Sequence, residues 1–233
     1  AELQGFQLQA HFEASAALSS SLRWLSPRLA AVAPASLSSS ADPSLTLIGL
    51  DMPLQRIDLL WDDATASGRI THARFSGGVV IEADRPGTAE RVGRMTLSHF
   101  DVDLEQGMVR VDIEGAQGVG FMPQVQMWSF DHVESTALIG DASCGGHAAM
   151  AACSPVSWQG LTLPGLTITT LAFDVMARSL AVVAYEKTRL AAVQDSGTIR
   201  ISTVPEAGTG AAMSLGLISL AWMRRRQRQA GTA

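Results

Sequence analysis

The residues of this chain best suited to chemistry are two cysteines, a short run of acids, five scattered histidines and a few tryptophans. Cys144 and Cys153 lie in GDASCGGHAAMAACSP, with eight residues between them, mostly Gly and Ala. In an oxidising compartment so short and pliable a loop closes as one local disulfide, worth roughly 2–3 kcal/mol through restriction of the unfolded chain. A metal site of Cys144, His147 and Cys153 is the sharper alternative, but it has no fourth ligand nearby. Free thiols are the third reading.

Asp101, Asp103 and Glu105 read D-x-D-x-E ahead of Gly107. A calcium loop needs Gly at its sixth position and a bidentate Glu at its twelfth. Here the Gly is seventh and the twelfth residue is Asp112. On a strand the three carboxylates form the solvated face opposite Phe100, Val102 and Leu104. His11, His72, His99, His132 and His147 show neither H-E-x-x-H nor H-x-H spacing, and Ser143 lacks the surroundings of a nucleophile elbow. The expectation is therefore a protein that is not an enzyme and carries no cofactor or metal. Trp61, Trp128 and Trp158 could line a sugar-stacking face, although burial in a core is the commoner fate of such rings.

These side chains need a scaffold, and period-2 alternation dominates the chain. Residues 2–12 place Phe6, Leu8, Ala10 and Phe12 on one face; Leu18, Leu22 and Leu25 then fit a short helix. Residues 34–44 form a Pro/Ser loop. Ile57, Leu59 and Trp61 alternate before the turn DDATASG. Apolar stretches at 70–75 and 79–83 flank Gly77-Gly78, a hairpin turn or tight bend. The clearest hairpin joins Phe100, Val102 and Leu104 to Val109, Val111 and Ile113 through a three-residue loop, with Gly107 supplying the positive φ. Met95 and Leu97 have the opposite parity, which predicts a β-bulge near Ser98-His99. Residues 125–132, 158–163, 166–171 and 197–203 read as further strands. Phe173, Met176, Ala177, Leu180, Ala181 and Ala184 follow helical period, so one helix is expected over 174–186. The fold class that follows is mainly β: a single antiparallel β-sandwich-like domain over 1–203 with one or two short helices, plus a C-terminal hydrophobic helix in 204–233.

Hydrophobic residues make up 47% of the 233-residue chain and charged ones only 17%, below the roughly 25% usual for soluble domains. Neutral polar residues must cover such a surface, as in many exported proteins. Four of the 17 basic residues (Arg224, Arg225, Arg226 and Arg228) fall in the last ten positions. Residues 1–206 thus hold 13 basic and all 22 acidic side chains, a net charge of −9. Nucleic acid is not a fitting partner for such a body. Ala1, with no basic or apolar leader, reads as a mature end left by signal-peptidase cleavage.

The tail runs TVPEAGTGAAMSLGLISLAWMRRRQRQAGTA. Residues 207–223 are uncharged, and as a helix they would span about 25 Å against a hydrocarbon core of about 30 Å. Trp222 suits the interface, and the arginines after it belong on the cytoplasmic side, which leaves the body outside the inner membrane. In Val204, Pro205 and Glu206, the apolar run and the Arg cluster, the chain resembles the PEP-CTERM sorting domain of Gram-negative bacteria that make extracellular polysaccharide. Ala207 stands where that motif has its second proline. The resemblance covers about 30 residues of the chain. It implies an inner-membrane precursor handed by an exosortase-type enzyme to the cell surface or extracellular space, where exopolysaccharide is the expected surrounding. The expected function is a non-catalytic surface or matrix protein; the alternative is a carbohydrate-binding module of that matrix. Mass spectrometry of unreduced, alkylated protein is expected to find Cys144 and Cys153 unmodified, and two alkylated thiols would refute the bridge.

Overall fold

Strands form where apolar side chains alternate, and this chain alternates nearly throughout. The structure is a computed structural model and describes residues 7–22, 25, 27–39, 48–62, 67–83, 93–134, 138–139 and 160–204. In chain order the first half holds β1 (Gln7–Ala14), α1 (Ala16–Leu22), β2 (Pro27–Val32), β3 (Ser36–Ser39), β4 (Ile48–Asp62) and β5 (Ser67–Ala83). The second half holds β6 (Gly93–Asp103), β7 (Met108–Gly115), β8 (Gly120–Ser129), β9 (Leu138–Ile139), β10 (Leu161–Leu163), β11 (Thr167–Ile168), α2 (Thr170–Ser179), α3 (Ala184–Ala191) and β12 (Gly197–Val204). The strands run in the order β10-β12-β1-β4-β5-β6-β7-β8-β11, with β3 beside β4 and both β2 and β9 beside β5. Every pairing is antiparallel.

A mainly β, antiparallel domain is what the alternation predicts. The sandwich is replaced by one continuous sheet curled into a half-barrel. The reason lies in two long strands whose two halves pair with different neighbours. Residues 48–53 of β4 pair with β1 and β3, and residues 54–62 pair with β5. β5 in turn meets β4 with its first half and β2 with residues 78–83. The stretches 70–75 and 79–83 therefore belong to one strand bent at Ser76-Gly77, where Gly77 has φ 86°. Gly78 is required here, because a Cβ would collide with the Leu97 carbonyl oxygen. The expected Pro/Ser loop contains a strand, Ser36–Ser39, on the free edge of β4. The β6–β7 hairpin loop has four residues, 104–107, and Gly107 takes φ 65°. Residues 207–223, and with them the expected C-terminal helix, lie outside the described residues. Among those described, no helix is long and apolar enough to cross a membrane.

The inward faces build one core. Phe12, Leu50, Phe75, Phe100, Val111 and Trp128 belong to it, and Ala172, Val175 and Met176 of α2 close over it. Trp128 is only 5% exposed, with its ring 5.5 Å from Phe12 and 6.2 Å from Phe100. Burying rings of this size contributes a few kcal/mol each. Between the core face and the helices lies an apolar cavity of about 70 Å³. That is about half the size at which such a void takes up benzene, so it is a packing defect beneath the helices.

The expected strand at 166–171 shrinks to Thr167–Ile168, because Thr169 caps a helix: its hydroxyl accepts from the Ala172 N–H at 3.2 Å. The expected single helix over 174–186 is two helices. α2 stops at Leu180, and Ala181 turns left-handed at φ 52°. The Ala181 N–H bonds to the Arg178 carbonyl and the Val182 N–H to the Ala177 carbonyl, the two bonds of a Schellman cap. Helical period continues across the break, so the pattern alone cannot reveal it. The position Gly usually occupies is filled by Ala, at a cost of roughly 1 kcal/mol. Ala181→Gly is accordingly expected to raise stability in urea unfolding by about 0.5–1 kcal/mol. In an unbroken helix the same change would lower it by about as much.

Candidate functional site

One line of irregularity crosses the sheet, with two further register shifts lying off it, at Asp58/Leu59 and Val109/Arg110. Register shifts fall at Gln55 in β4, at Ser76-Gly77 in β5, at His99 in β6 and near Gln124 in β8. His99 and Gln124 are non-glycine residues with positive φ, 52° and 48°. The bulge predicted at Ser98-His99 from the change of parity is present. Those in β4 and β8 had a sequence signal of their own: Pro53 and Pro123 stand two and one residues ahead of Gln55 and Gln124. Proline cannot donate to a ladder and gathers at bulges and edges.

Asp112 of β7 lies between two bulged strands and holds both. Its Oδ1 accepts from the Gln124 backbone N–H at 2.8 Å and from Gln124 Nε2 at 3.0 Å. Its Oδ2 is 3.2 Å from His99 Nδ1. On the next strand pair Arg74 Nε donates to Asp101 Oδ2 at 3.1 Å. Asp101 is 8% exposed, and its Oδ1 is buried without a hydrogen-bond partner. Gln55, Arg74, His99, Asp101, Asp112 and Gln124 together line a pocket of about 370 Å³ on the polar face of the sheet.

A second cluster adjoins it. Asp103, 3% exposed, faces His72 Nε2 at 3.2 Å and Arg110 Nη1 at 3.5 Å. Its Oδ1 accepts from the backbone N–H groups of Glu105 and Gln106 at 3.1 and 2.9 Å. Burial pushes the Asp103 carboxyl upward. The Gln106 N–H, the charge and hydrogen bond of His72 and the Glu105 N–H outweigh it and hold the group below the ordinary carboxylate range. Farther along the sheet, His11 Nδ1 meets Asp51 Oδ1 at 2.7 Å.

The acids Asp101, Asp103 and Glu105 thus lie opposite Phe100 and Val102 as parity requires, but Asp101 and Asp103 are not solvated. Register explains this: His72 pairs with Asp103, Arg74 with Asp101 and His11 with Asp51 directly across strands, which brings longer nitrogen-bearing side chains over short acids. Glu105 does reach the surface, paired with Arg69 at 3.0 Å. Of the proposed stacking rings, Trp128 is core. Trp158 and the side chain of Trp61 lie outside the described residues. So do Cys144, Cys153, His147, Ser143, Pro205, Glu206 and the tail arginines. Val204, the first residue of the sorting motif, is the last of β12 and pairs with Gln7, one residue past the expected domain end. His132 is exposed beyond β8.

No family model and no curated protein matches the chain. Among solved structures it is similar to the C-terminal domain of HtaA from Corynebacterium glutamicum. The identity is 7% and the TM-score 0.42, over 85% of this chain and 98% of that one.

The lowered Asp103 carboxyl links stability to pH. Its folded value lies below the unfolded one, so its contribution is complete above about pH 4 and is lost as pH falls through the folded value. Asp103→Asn is expected to cost about 1–3 kcal/mol in urea unfolding at neutral pH. The gap from wild type should narrow in acid below about pH 4.

Proposed function

We propose that this chain is an exported, non-catalytic protein of the cell surface or extracellular matrix, delivered through its C-terminal segment, with the half-barrel as a binding module. The observation that carries this reading is the order of the tail: Val204-Pro205-Glu206, seventeen uncharged residues at 207–223, then Arg224, Arg225, Arg226 and Arg228. Arginines at the bilayer centre cost roughly 2.5–3.5 kcal/mol each, so they would hold a precursor in the inner membrane with its body outside. There an exosortase-type enzyme would reach the Pro205-Glu206 segment. β12 ends at Val204, and Pro205 has no N–H with which to extend it, so the end of the sheet suits a boundary at this point.

The polar face supports binding over catalysis. A general acid or base works best with a pKa near the operating pH, and Asp103 is held in the opposite direction. Asp112 accepts from the Gln124 backbone and side chain and Asp101 from Arg74, bonds that tie strand to strand. The carbohydrate-binding alternative loses Trp128 as a stacking surface and has the polar pocket in its favour. Delivery is tested by isolating the protein from the cell surface and measuring its intact mass. A form lacking Arg224–Arg228 is expected; a form that retains them makes the tail a plain membrane anchor.

A further inference from the structure

We infer that the pocket at the row of bulges binds a neutral polyhydroxylated ligand, a sugar residue of a glycan. This rests on the reading of the half-barrel as a binding module and is independent of how the chain is delivered. Four observations lead to that chemical class.

The first is size. At about 370 Å³ the pocket falls in the roughly 300–1,000 Å³ range of small-molecule sites. The apolar void under the helices does not. The second is charge. Two carboxylates, Asp101 and Asp112, face one guanidinium, that of Arg74, so an anion is disfavoured. A metal ion fares no better: among the described residues no three His, Cys, Asp or Glu side chains are arranged to hold one.

The third is the pattern of hydrogen-bonding groups. Arg74 uses its Nε on Asp101, which leaves the two terminal nitrogens as donors. Gln124 uses its Nε2 on Asp112, which leaves its carbonyl as an acceptor. Gln55 makes no side-chain hydrogen bond among the described residues and offers both. Planar groups alternating as donor and acceptor suit a ring of hydroxyls, each of which gives and takes a hydrogen bond. The fourth is the buried Asp101 Oδ1, an acceptor with no partner. Such a group carries a desolvation cost that a ligand hydroxyl would relieve. Phe75 and Phe100 line the floor with rings buried in the core, so recognition falls to polar groups, which the Asp112 bonds hold in place.

The test uses the full chain in a detergent without a sugar headgroup. Saturation-transfer NMR with the methyl glycosides of glucose, galactose and mannose is paired with gel retardation by soluble neutral galactomannan and dextran, with anionic alginate as the contrast. Expected is binding of at least one neutral glycan and none of alginate. Gln55→Ala should weaken it by roughly threefold, and Asp101→Asn, which replaces an acceptor oxygen by an NH₂, by roughly tenfold. Gln55→Ala removes no hydrogen bond among the described residues, so it decides the matter if Asp101→Asn fails to fold. Absence of binding to every neutral glycan overturns the inference, as does binding unchanged in Gln55→Ala or equal retardation by alginate. None of these outcomes bears on the C-terminal mass of the surface form, so the sorting reading stands or falls separately.

Discussion

The carboxylate of Asp112 accepts two hydrogen bonds from Gln124, a residue whose backbone is left-handed. Its other oxygen lies 3.2 Å from Nδ1 of His99, which is left-handed as well. A non-glycine residue at positive φ costs on the order of 1 kcal/mol or more and persists only where its surroundings over-determine it. One acid on β7 does this for both flanking strands at once. A bulge bends its strand and sharpens the local twist. When Gln55, Gly77, His99 and Gln124 bulge along one line, the bend is shared by neighbouring strands, and the sheet creases instead of fraying. The half-barrel, its concave core and the pocket on its other face all depend on that crease.

Curling concentrates apolar groups on the inside and polar groups on the outside, and each side meets its own constraint. Inside, Trp128 stacks on Phe100 and tilts against Phe12, which joins β8, β6 and β1 through contacts far apart in sequence. Outside, acids that would be solvated on a flat sheet are shaded by longer neighbours. A buried charge is tolerated only when paired and hydrogen-bonded. Asp103 satisfies this with His72, Arg110 and two backbone N–H groups. The resulting face is rich in planar hydrogen-bonding groups and in acids paired across strands.

Much of the fold was legible locally. Side-chain parity over β6 and β7 identifies the inward faces, the Gly107 turn and the bulge at His99, because strand period and bulge parity are properties of a single segment. The helix break at Ala181 was not legible, since a Schellman cap at Ala leaves the apolar period intact. The bulges at Gln55 and Gln124 were half-legible, through prolines whose meaning depends on the sheet around them.

By itself the sequence determined which face of each central strand is apolar, that the described body is mainly antiparallel β, and that the last thirty residues carry an uncharged run closed by arginines. Only the tertiary structure decided which partner meets which acid. Parity is set by neighbours in the chain, whereas the pairing of Arg74 with Asp101, or of His11 with Asp51, is set by register between segments 27 and 40 residues apart. Register depends on the whole core settling at once, and so the buried carboxylates and the pocket they line appear only when the sheet is assembled.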